Sequence, residues 1–338
     1  MKSIINEYPQ NYDAFRLSST VGTLAKRMDF TNLTPEIDLD RIQVTEYGVA
    51  RPSLQLTGFF NFFAFKRVQI VGLVEQEYMK TLDDEVLAER FAHIASFHVP
   101  CIIFARNLQV KDSILDVCKR YGVPALKTDK ETDEVEAEVI RFLRFLLAPR
   151  QTVHGELIDV FGLGVLIQGD SGIGKSEAAL SLINRGHRLI SDDLVEIRKV
   201  SEESLVGLAP ELTRDFIELR GVGVVNIRAM YGYAAVKEFQ TIDMIINLEE
   251  INRDKSADRF GLDHQYENIL GVQIDKINIP VRPGRNMAVI LESAALNFRA
   301  RIMGYDAPAD FMNRLSRCRE DILDKQKSDL IKDLSENL

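Results

Sequence analysis

The sequence has few cysteines, no excess of basic residues and no long apolar run. Its three cysteines, Cys101, Cys118 and Cys318, are too few and too scattered for a disulfide framework, so we expect reduced thiols in a cytoplasmic protein. The formal net charge is −9, so the chain has no excess of basic residues that would attract nucleic acid. The most apolar short run, residues 56–65, is too short to cross a bilayer, and residues 1–6 lack the apolar core of a signal peptide. We therefore expect neither nucleic acid nor membrane as a partner.

The length of the chain predicts two domains. It has 338 residues, more than one core usually organises, and 46% of them are hydrophobic. Strands alternating with helices in the first half predict a small α/β domain, with a parallel sheet covered on both faces. The predicted strands are residues 68–72, 99–105 and 123–127, and the predicted helices are residues 84–97, 111–121 and 130–147.

Domain boundaries follow from the segment Ala148-Pro149-Arg150, which ends the last of these helices. We expect an N-terminal α/β domain over residues 1–149, regulatory or oligomer-forming and without chemistry of its own. Residues 150–324 are expected to form the catalytic domain, and residues 325–338 a charged tail.

A phenylalanine-rich segment, residues 54–65, allows a membrane or partner surface, but the start of a strand and a helix inside a core is the favoured interpretation.

The strongest motif is a glycine-rich stretch that fits the pattern G-x-x-x-x-G-K-[ST] at every fixed position. Its residues are Gly169, Asp170, Ser171, Gly172, Ile173, Gly174, Lys175 and Ser176. The glycines let backbone N–H groups surround phosphate oxygens, while Lys175 can reach the outer phosphates and the Ser176 hydroxyl can ligate Mg²⁺. An apolar strand pattern, residues 164–168, precedes the loop, and a helical pattern, residues 177–186, follows it. This context favours phosphate binding at a helix N-terminus over a chance glycine-rich turn.

A hairpin is expected immediately before this loop. Residues 152–160 alternate like a strand, and residues 161–164 turn the chain into the strand that feeds the loop. His154 lies near the start of this hairpin. Its spacing alone gives it no role, since a lone histidine is usually structural.

Three acidic residues beyond the loop are candidates for metal or proton chemistry. Asp192 and Asp193 follow an apolar run, at a position where phosphoryl-transfer enzymes place carboxylates directed at Mg²⁺. One aspartate can hold the metal while the other faces the attacking group; the alternative is a charged strand end in solvent. Glu218 lies in an apolar run with two glycines, residues 216–226, and is a candidate metal ligand.

Four arginines are candidates for neutralising phosphoryl charge. Arg220 shares the apolar run of Glu218, and Arg259 lies in a polar loop from which it can reach a phosphoryl group. Arg282 and Arg285 belong to the rigid, basic segment 280–285. Simple solvation is the alternative for Arg259, as for most loop arginines. Two helices are predicted after them, over residues 286–303 and 309–324.

Taken together, these segments resemble one family, the HPr kinase/phosphorylases of bacteria. The resemblance covers residues 150–310 and rests on residues 169–177, 185–190 with 192–193, 218–223, 280–285, 294–300 and 303–306. It implies an enzyme that phosphorylates a serine of the phosphocarrier HPr with ATP or pyrophosphate and Mg²⁺, and so regulates carbon metabolism. It also implies the reverse reaction, in which inorganic phosphate attacks seryl-phosphate and gives pyrophosphate. The family's catalytic fold resembles phosphoenolpyruvate carboxykinase, and its enzymes are homohexamers.

The resemblance also implies functional residues. They fall on His154, Lys175, Ser176, Asp193, Glu218 and Arg259. In this assignment Lys175 and Arg259 supply positive charge, and Ser176 and Glu218 hold the Mg²⁺. Asp193 accepts the serine proton in the forward reaction and returns it in the reverse reaction. The segment with Arg282 and Arg285 is associated mainly with dephosphorylation.

Two other functions are compatible with a phosphate-binding loop. One is a kinase on the same fold that acts on a small molecule. The other is a nucleotide-binding regulatory switch without catalysis, in which the first half senses a ligand. The paired aspartates and Arg259 disfavour the switch, because binding alone needs neither.

Overall fold

The structure is a computed structural model that describes residues 19–250, 265–282 and 285–319. The chain forms two compact units, Met1–Pro149 and Arg150–Leu338. Each unit contains its own sheets and helices, so the predicted two-domain α/β class is confirmed. No helix within the described ranges is long and apolar enough to cross a membrane.

The strands of the N-terminal unit are β1 (Ser19–Thr20), β2 (Thr31–Asn32), β3 (Gln43–Val44), β4 (Val49–Ala50), β5 (Val68–Val71), β6 (Ile102–Phe104) and β7 (Ala125–Lys127). Five of them form a sheet with the order β2-β7-β6-β5-β4, while β1 pairs with β3. Its helices are α1 (Val21–Met28), α2 (Ser53–Leu56), α3 (Leu73–Met79), α4 (Asp84–Ser96), α5 (Asp112–Tyr121) and α6 (Thr132–Leu146), with a 3-10 turn at Leu39–Arg41. Strands β4 to β7 are parallel, as predicted, whereas β2 runs antiparallel to β7.

Helices cover both faces of this sheet because successive strand residues point to opposite sides. In β6, Ile102 and Phe104 pack in the core with Phe91 of α4, whereas Ile103 packs in the other core with Leu143 of α6. All five side chains are almost completely buried. The continuous apolar character of the strands therefore reflects burial on two faces, which is typical of parallel sheets.

The phenylalanine-rich segment 54–65 differs from its favoured interpretation. Helix α2 provides one short helical stretch, and no strand follows it within this segment. Phe63 is buried and packs edge-on against Phe97, but Phe62 has a positive φ of 58° and its side chain is fully exposed. The turns that seat Phe60 and Phe63 against Phe97 leave the residues between them facing solvent.

The strands of the C-terminal unit are β8 (Arg150–His154), β9 (Glu156–Val160), β10 (Leu163–Gly169), β11 (Arg188–Ser191), β12 (Leu194–Lys199), β13 (Leu205–Leu208), β14 (Phe216–Leu219), β15 (Gly223–Asn226), β16 (Phe239–Thr241), β17 (Met244–Glu250), β18 (Gln265–Ile269) and β19 (Val272–Val281). They form a mixed six-stranded sheet with the order β11-β9-β10-β17-β19-β18, a four-stranded sheet with the order β16-β13-β12-β8, and the hairpin β14-β15. The helices are α7 (Lys175–Ile183), α8 (Ile227–Tyr231) and α9 (Met287–Ile302), with 3-10 turns at Glu211–Thr213 and Tyr233–Ala235. Residues 307–319 are also helical.

Strand β10 occupies the middle of the six-stranded sheet and separates two cores. It pairs antiparallel with β9 and parallel with β17. Val165 and Ile167 pack in one core with residues of α7 and α9, including Leu291, whereas Leu166 packs in the other core with Val195 of the four-stranded sheet. This double burial fixes the strand that carries the glycine loop at its carboxyl end.

Residues 152–160 form two strands in different sheets, not the single strand that was predicted. Strand β8 pairs with β12, and β9 pairs with β10. Gly155 lies between them, and a Cβ added there would lie 2.7 Å from the carbonyl oxygen of Ile167, so a side chain would obstruct this close passage. The predicted hairpin is found between β9 and β10, where Phe161 and Gly162 have positive φ values of 54° and 89°, as in a type I′ turn.

A carboxylate on α9 links that helix to the chain just after α7. Glu292 accepts hydrogen bonds from Nε (2.7 Å) and Nη2 (2.6 Å) of Arg185, and it lies 3.0 Å from Nε2 of His187. The His187 ring is buried and packs edge-on against Phe161. These partners, Arg185 foremost, lower the pKa of Glu292 to about 2 from its ordinary value of 4.5.

We expect Glu292→Gln to lower the free energy of unfolding by about 2 kcal/mol at pH 7, because charged hydrogen bonds of this kind contribute at that level. For a domain of this size the melting temperature should fall by roughly 4–8 °C. A carboxylate with a depressed pKa stabilises the fold above its unfolded-state pKa and loses that contribution as the pH falls. The difference between wild type and variant should therefore shrink as the pH falls through 4.5 towards 2.

Thermal unfolding followed by circular dichroism across this pH range measures the effect. Glu202→Gln is the matched control, because Glu202 is exposed in its ion pair with Lys199 and its loss should leave the melting temperature nearly unchanged. Equal melting temperatures for wild type and Glu292→Gln at pH 7 would contradict the role given to Glu292.

Candidate active site

The glycine loop joins the end of β10 to the start of α7. Gly172 and Gly174 have φ values of 91° and 101°, in the left-handed region that favours glycine. A Cβ added at Gly172 would lie 2.5 Å from Nη2 of Arg220, so this arginine lies directly against the loop. Ile173 packs against the apolar core beneath it. The predicted arrangement of buried strand, loop and helix N-terminus is present, and α7 begins two residues earlier than the periodicity indicated.

Lys175 is the first residue of α7, and its side chain folds back over the loop. Its Nζ donates hydrogen bonds to the carbonyl oxygens of Gly169 (3.1 Å) and Asp170 (3.3 Å). The loop therefore presents an ammonium group and the free N–H groups of a helix N-terminus in one place. Both are complementary to the charge of a phosphate.

Ser176, the second residue of α7, faces two buried carboxylates. Its hydroxyl donates to Oε1 of Glu156 at 3.3 Å, and it also lies near the carboxylate of Asp192. Glu156 and Asp192 are only 2% and 5% exposed. Burial is the main cause that raises the pKa of Asp192 to about 6, and burial together with the charge of Asp192 raises the pKa of Glu156 well above its ordinary range.

The adjacent residues Asp192 and Asp193 point to different surroundings. Oδ2 of Asp192 accepts a hydrogen bond from the backbone N–H of Glu218 at 2.9 Å. Asp193 has a left-handed φ of 64°, and its Oδ1 lies 3.7 Å from Nδ1 of His154, with both side chains more than half exposed. The pairing of β8 with β12 brings His154 here, since it is the partner of Leu194 in that ladder. The structure thus places Asp192 inside the cluster and Asp193 on the accessible side.

Glu218 and Arg220 are both brought to the loop by the hairpin β14-β15. The backbone of Glu218 contacts Asp192 while its side chain is exposed. The two glycines of residues 216–226 belong to the turn of this hairpin, with positive φ at Gly221 (77°) and Gly223 (102°), so the run is not one strand. Their role is to allow the turn that holds Arg220 beside the phosphate loop.

Two of the remaining arginines are not part of this cluster. Arg282 and Arg285 are exposed beside the start of α9, where the N–H of Arg285 donates to the carbonyl of Arg282 at 3.3 Å. No ion pair or side-chain hydrogen bond of the described residues joins either of them to the cluster. Asn286, rather than Arg285, caps α9 by accepting a hydrogen bond from the N–H of Val289. Arg259 lies outside the described residues and stays a prediction.

Glu156 is the residue of this site that sequence reasoning missed. It begins a strand whose five residues are all buried, so a charged residue at that position was an available signal.

The buried carboxylates beside Ser176 suit Mg²⁺. Oε2 of Glu156 and Oδ1 of Asp192 are buried without a hydrogen-bond partner among the residues described. Mg²⁺ is commonly bound through one or two carboxylates completed by water and substrate phosphates. Glu156 and Asp192 are only two carboxylates, and the described part of the chain has no group of three or more His, Cys, Asp or Glu side chains arranged to hold a metal.

The geometry of this site defines a class of protein. A buried strand, a glycine loop, a lysine over the loop and carboxylates beside the helix start are the elements of a P-loop phosphotransferase domain.

Comparison with known proteins gives the particular family. The family described as HPr Serine kinase C-terminal domain matches residues 146–315, and the one described as HPr Serine kinase N terminus matches residues 19–143. HPr kinase/phosphorylase of Lachnoclostridium phytofermentans is 51% identical over 88% of this chain and 96% of its own length. The same enzyme of Caldanaerobacter subterraneus subsp. tengcongensis is 44% identical over 88% of this chain and 97% of its own length. The chain belongs to the HPr kinase/phosphorylase family, as its motifs predicted.

A solved structure of the HPr(Ser) kinase/phosphatase from Coxiella burnetii is also similar, with 32% sequence identity and a TM-score of 0.43. The match covers 48% of this chain and 98% of that chain. The family match also extends to the N-terminal unit, for which the sequence offered no motif.

Proposed function

We propose that this protein phosphorylates a serine of the phosphocarrier HPr, using ATP or pyrophosphate as donor, and that it also catalyses the reverse phosphorolysis. Family membership supports an enzyme acting on HPr. The observation that carries the chemistry is the position of Asp193, which is accessible beside His154 and adjacent to the buried group around Ser176. A protein substrate can reach such a carboxylate, whereas it cannot reach Asp192.

In the proposed forward reaction the chain's own residues position, neutralise and move a proton. The loop N–H groups and Lys175 hold the donor phosphates, and Arg220 lies against the same loop. Asp193 accepts the proton of the serine hydroxyl. The serine oxygen bonds to the transferred phosphorus, and the bond between that phosphorus and the donor breaks. Bound Mg²⁺ supplies further positive charge on the phosphate oxygens; Ser176 and Glu218 are its proposed ligands.

The reverse reaction uses the same groups. An oxygen of inorganic phosphate bonds to the phosphorus of seryl-phosphate, the serine oxygen leaves, and Asp193 returns the proton to it. Pyrophosphate is the second product. His154, 3.7 Å from Asp193, is suited to orient that carboxylate in both directions. Arg259 is proposed as a further source of positive charge.

The wider assignment follows the family. We propose a homohexamer in the cytoplasm that regulates carbon metabolism through HPr. Residues 1–149 are proposed as a regulatory or oligomer-forming domain, residues 150–324 as the catalytic domain, and residues 325–338 as a charged tail.

Incubation of the purified protein with ATP, Mg²⁺ and HPr tests this function. We expect the mass of HPr to rise by one phosphoryl group with many turnovers, and added phosphate to reverse the change with release of pyrophosphate. A panel of small acceptors distinguishes a small-molecule kinase, which would leave HPr unmodified. Consumption of ATP limited to one equivalent would instead favour the regulatory switch.

We expect Arg285→Ala to slow phosphorolysis of seryl-phosphorylated HPr about 10–100-fold, while ATP-dependent phosphorylation changes much less. The exposed Arg282 and Arg285 offer a second anion site, which the attacking phosphate or the seryl-phosphate needs. The forward reaction already has its phosphates fixed by Lys175 and the loop. Loss of one charged hydrogen bond corresponds to this factor.

Both rates and the melting temperature are measured on the same variant. Arg27→Ala, an exposed arginine of α1 in the N-terminal unit, serves as the matched control and should leave both rates unchanged. Parallel losses of both activities together with thermal stability would show that Arg285 only supports the start of α9.

A further inference from the structure

Glu156 is a buried carboxylate that the proposed phosphoryl transfer does not use. It is 2% exposed, at the start of β9, and its Oε1 accepts a hydrogen bond from Ser176 at 3.3 Å. Its Oε2 has no partner within the described ranges, and the same holds for Oδ1 of Asp192, which is 5% exposed. Buried polar oxygens are nearly always satisfied, so two such atoms around one hydroxyl call for a missing partner.

The charges of the cluster indicate what that partner is. Glu156 and Asp192 repel each other, and no ion pair formed by described residues includes either of them. The ammonium of Lys175 attracts Glu156 without forming an ion pair with it, and it donates its hydrogen bonds to the carbonyls of Gly169 and Asp170. A buried carboxylate without a counter-ion is costly, and two together are more so. A cation satisfies both the charge and the free oxygens.

The donor set specifies the kind of cation. Two carboxylates and a hydroxyl are hard oxygen ligands, which Mg²⁺ and Mn²⁺ prefer over soft metals. Neighbouring ligands at 2.0–2.1 Å from an octahedral ion lie about 3 Å apart. The 3.3 Å between Oγ of Ser176 and Oε1 of Glu156 is close to that separation. Water and phosphate oxygens can complete the shell.

We propose that Glu156, Asp192 and Ser176 form a divalent-cation site that is ready before nucleotide binds, with Glu156 as a metal ligand. This rests on the proposed function in that the cation serves the phosphate loop. The ion would enter the buried cluster first and present its open positions to the donor phosphates. Glu218, already proposed as a ligand with Ser176, also donates its backbone N–H to Asp192 and so holds that carboxylate in place.

Binding of Mn²⁺ alone to the nucleotide-free, full-length protein tests the proposal, by electron paramagnetic resonance and calorimetry, with Mg²⁺ as competitor. We expect one site per chain, and at least about tenfold weaker binding in Glu156→Gln, a loss within the range seen when support of a metal site is removed. Glu156→Asp keeps the charge and should bind more tightly than Glu156→Gln. Glu177→Gln, an exposed glutamate next to Ser176, is the matched control and should bind as wild type does.

Folding and function are checked separately. Glu156→Gln should melt no lower than wild type in the absence of cations, since it removes one of two like charges, and its melting temperature should rise less with added Mn²⁺. Unchanged Mn²⁺ affinity in Glu156→Gln, or loss of binding only in Glu218→Gln, would overturn the proposal. Absence of Mn²⁺ binding by the wild-type protein would overturn it as well. If HPr is not phosphorylated but Mn²⁺ binding depends on Glu156, the proposed function fails while the cation site stands.

Discussion

We expect Lys175→Ala to slow both phosphorylation of HPr and phosphorolysis of seryl-phosphorylated HPr by about 10²–10³-fold or more. ATP, pyrophosphate and the phosphate product all require the same loop, and Lys175 is the ammonium group positioned over it. Removing one preorganised group that stabilises developing charge has effects of this size. Both rates are measured on one preparation, with nucleotide affinity determined by calorimetry.

The fold should survive this substitution. The Lys175 ammonium donates only to two loop carbonyls, and alanine favours the helix that begins at this position. Lys80→Ala is a control, because that exposed lysine of the N-terminal unit forms a surface ion pair with Glu77. A Lys175→Ala protein that turns over near the wild-type rate, or that unfolds, would count against the assigned role.

Asp193→Asn is expected to slow both directions of transfer by about 10²–10⁴-fold while nucleotide binding is largely retained. That range is typical for loss of a general acid or base. The local backbone should be preserved, because Asp193 has a left-handed φ of 64° and asparagine tolerates this conformation as well as aspartate does. Single-turnover rates in both directions and nucleotide affinity are the measurements.

Asp192→Asn provides the contrast. Asp192 is buried next to Ser176, so its variant should need more Mg²⁺ for the same rate instead of losing proton transfer. If asparagine at position 193 weakens nucleotide binding as much as turnover, the roles of the two aspartates are exchanged.

The loop could be predicted residue by residue because its pattern is local. Strand, glycines and helix start follow one another in the chain, and each is determined by its own residues. The paired aspartates could be placed beyond it for the same reason. Their opposite orientations could not be predicted, since they depend on the left-handed backbone of Asp193 and on pairing with a strand about 40 residues earlier.

Contacts between distant segments account for the rest. Glu156 was missed because its proposed role depends on its proximity to Ser176 and Asp192. These three residues lie on β9, on α7 and in the turn after β11, and only the folded chain brings them together. The single strand predicted over residues 152–160 was wrong because alternation is the same in two consecutive strands, whichever sheet each joins. The parallel sheet of the N-terminal unit was predicted correctly, since burial on both faces leaves continuous apolar runs in the sequence.

The change of sheet at Gly155 has a consequence for how this site can be altered. His154 and Glu156 are separated by one residue, yet one lies beside the proposed proton acceptor and the other beside Ser176. A displacement of the backbone at Gly155 therefore moves both groups at once. An insertion or deletion there would change the register of one ladder against the other and mismatch the two halves of the site. Engineering a different metal or donor preference must accordingly exchange side chains on an unmoved backbone, because the proposed proton-transfer and metal-binding groups cannot be repositioned independently.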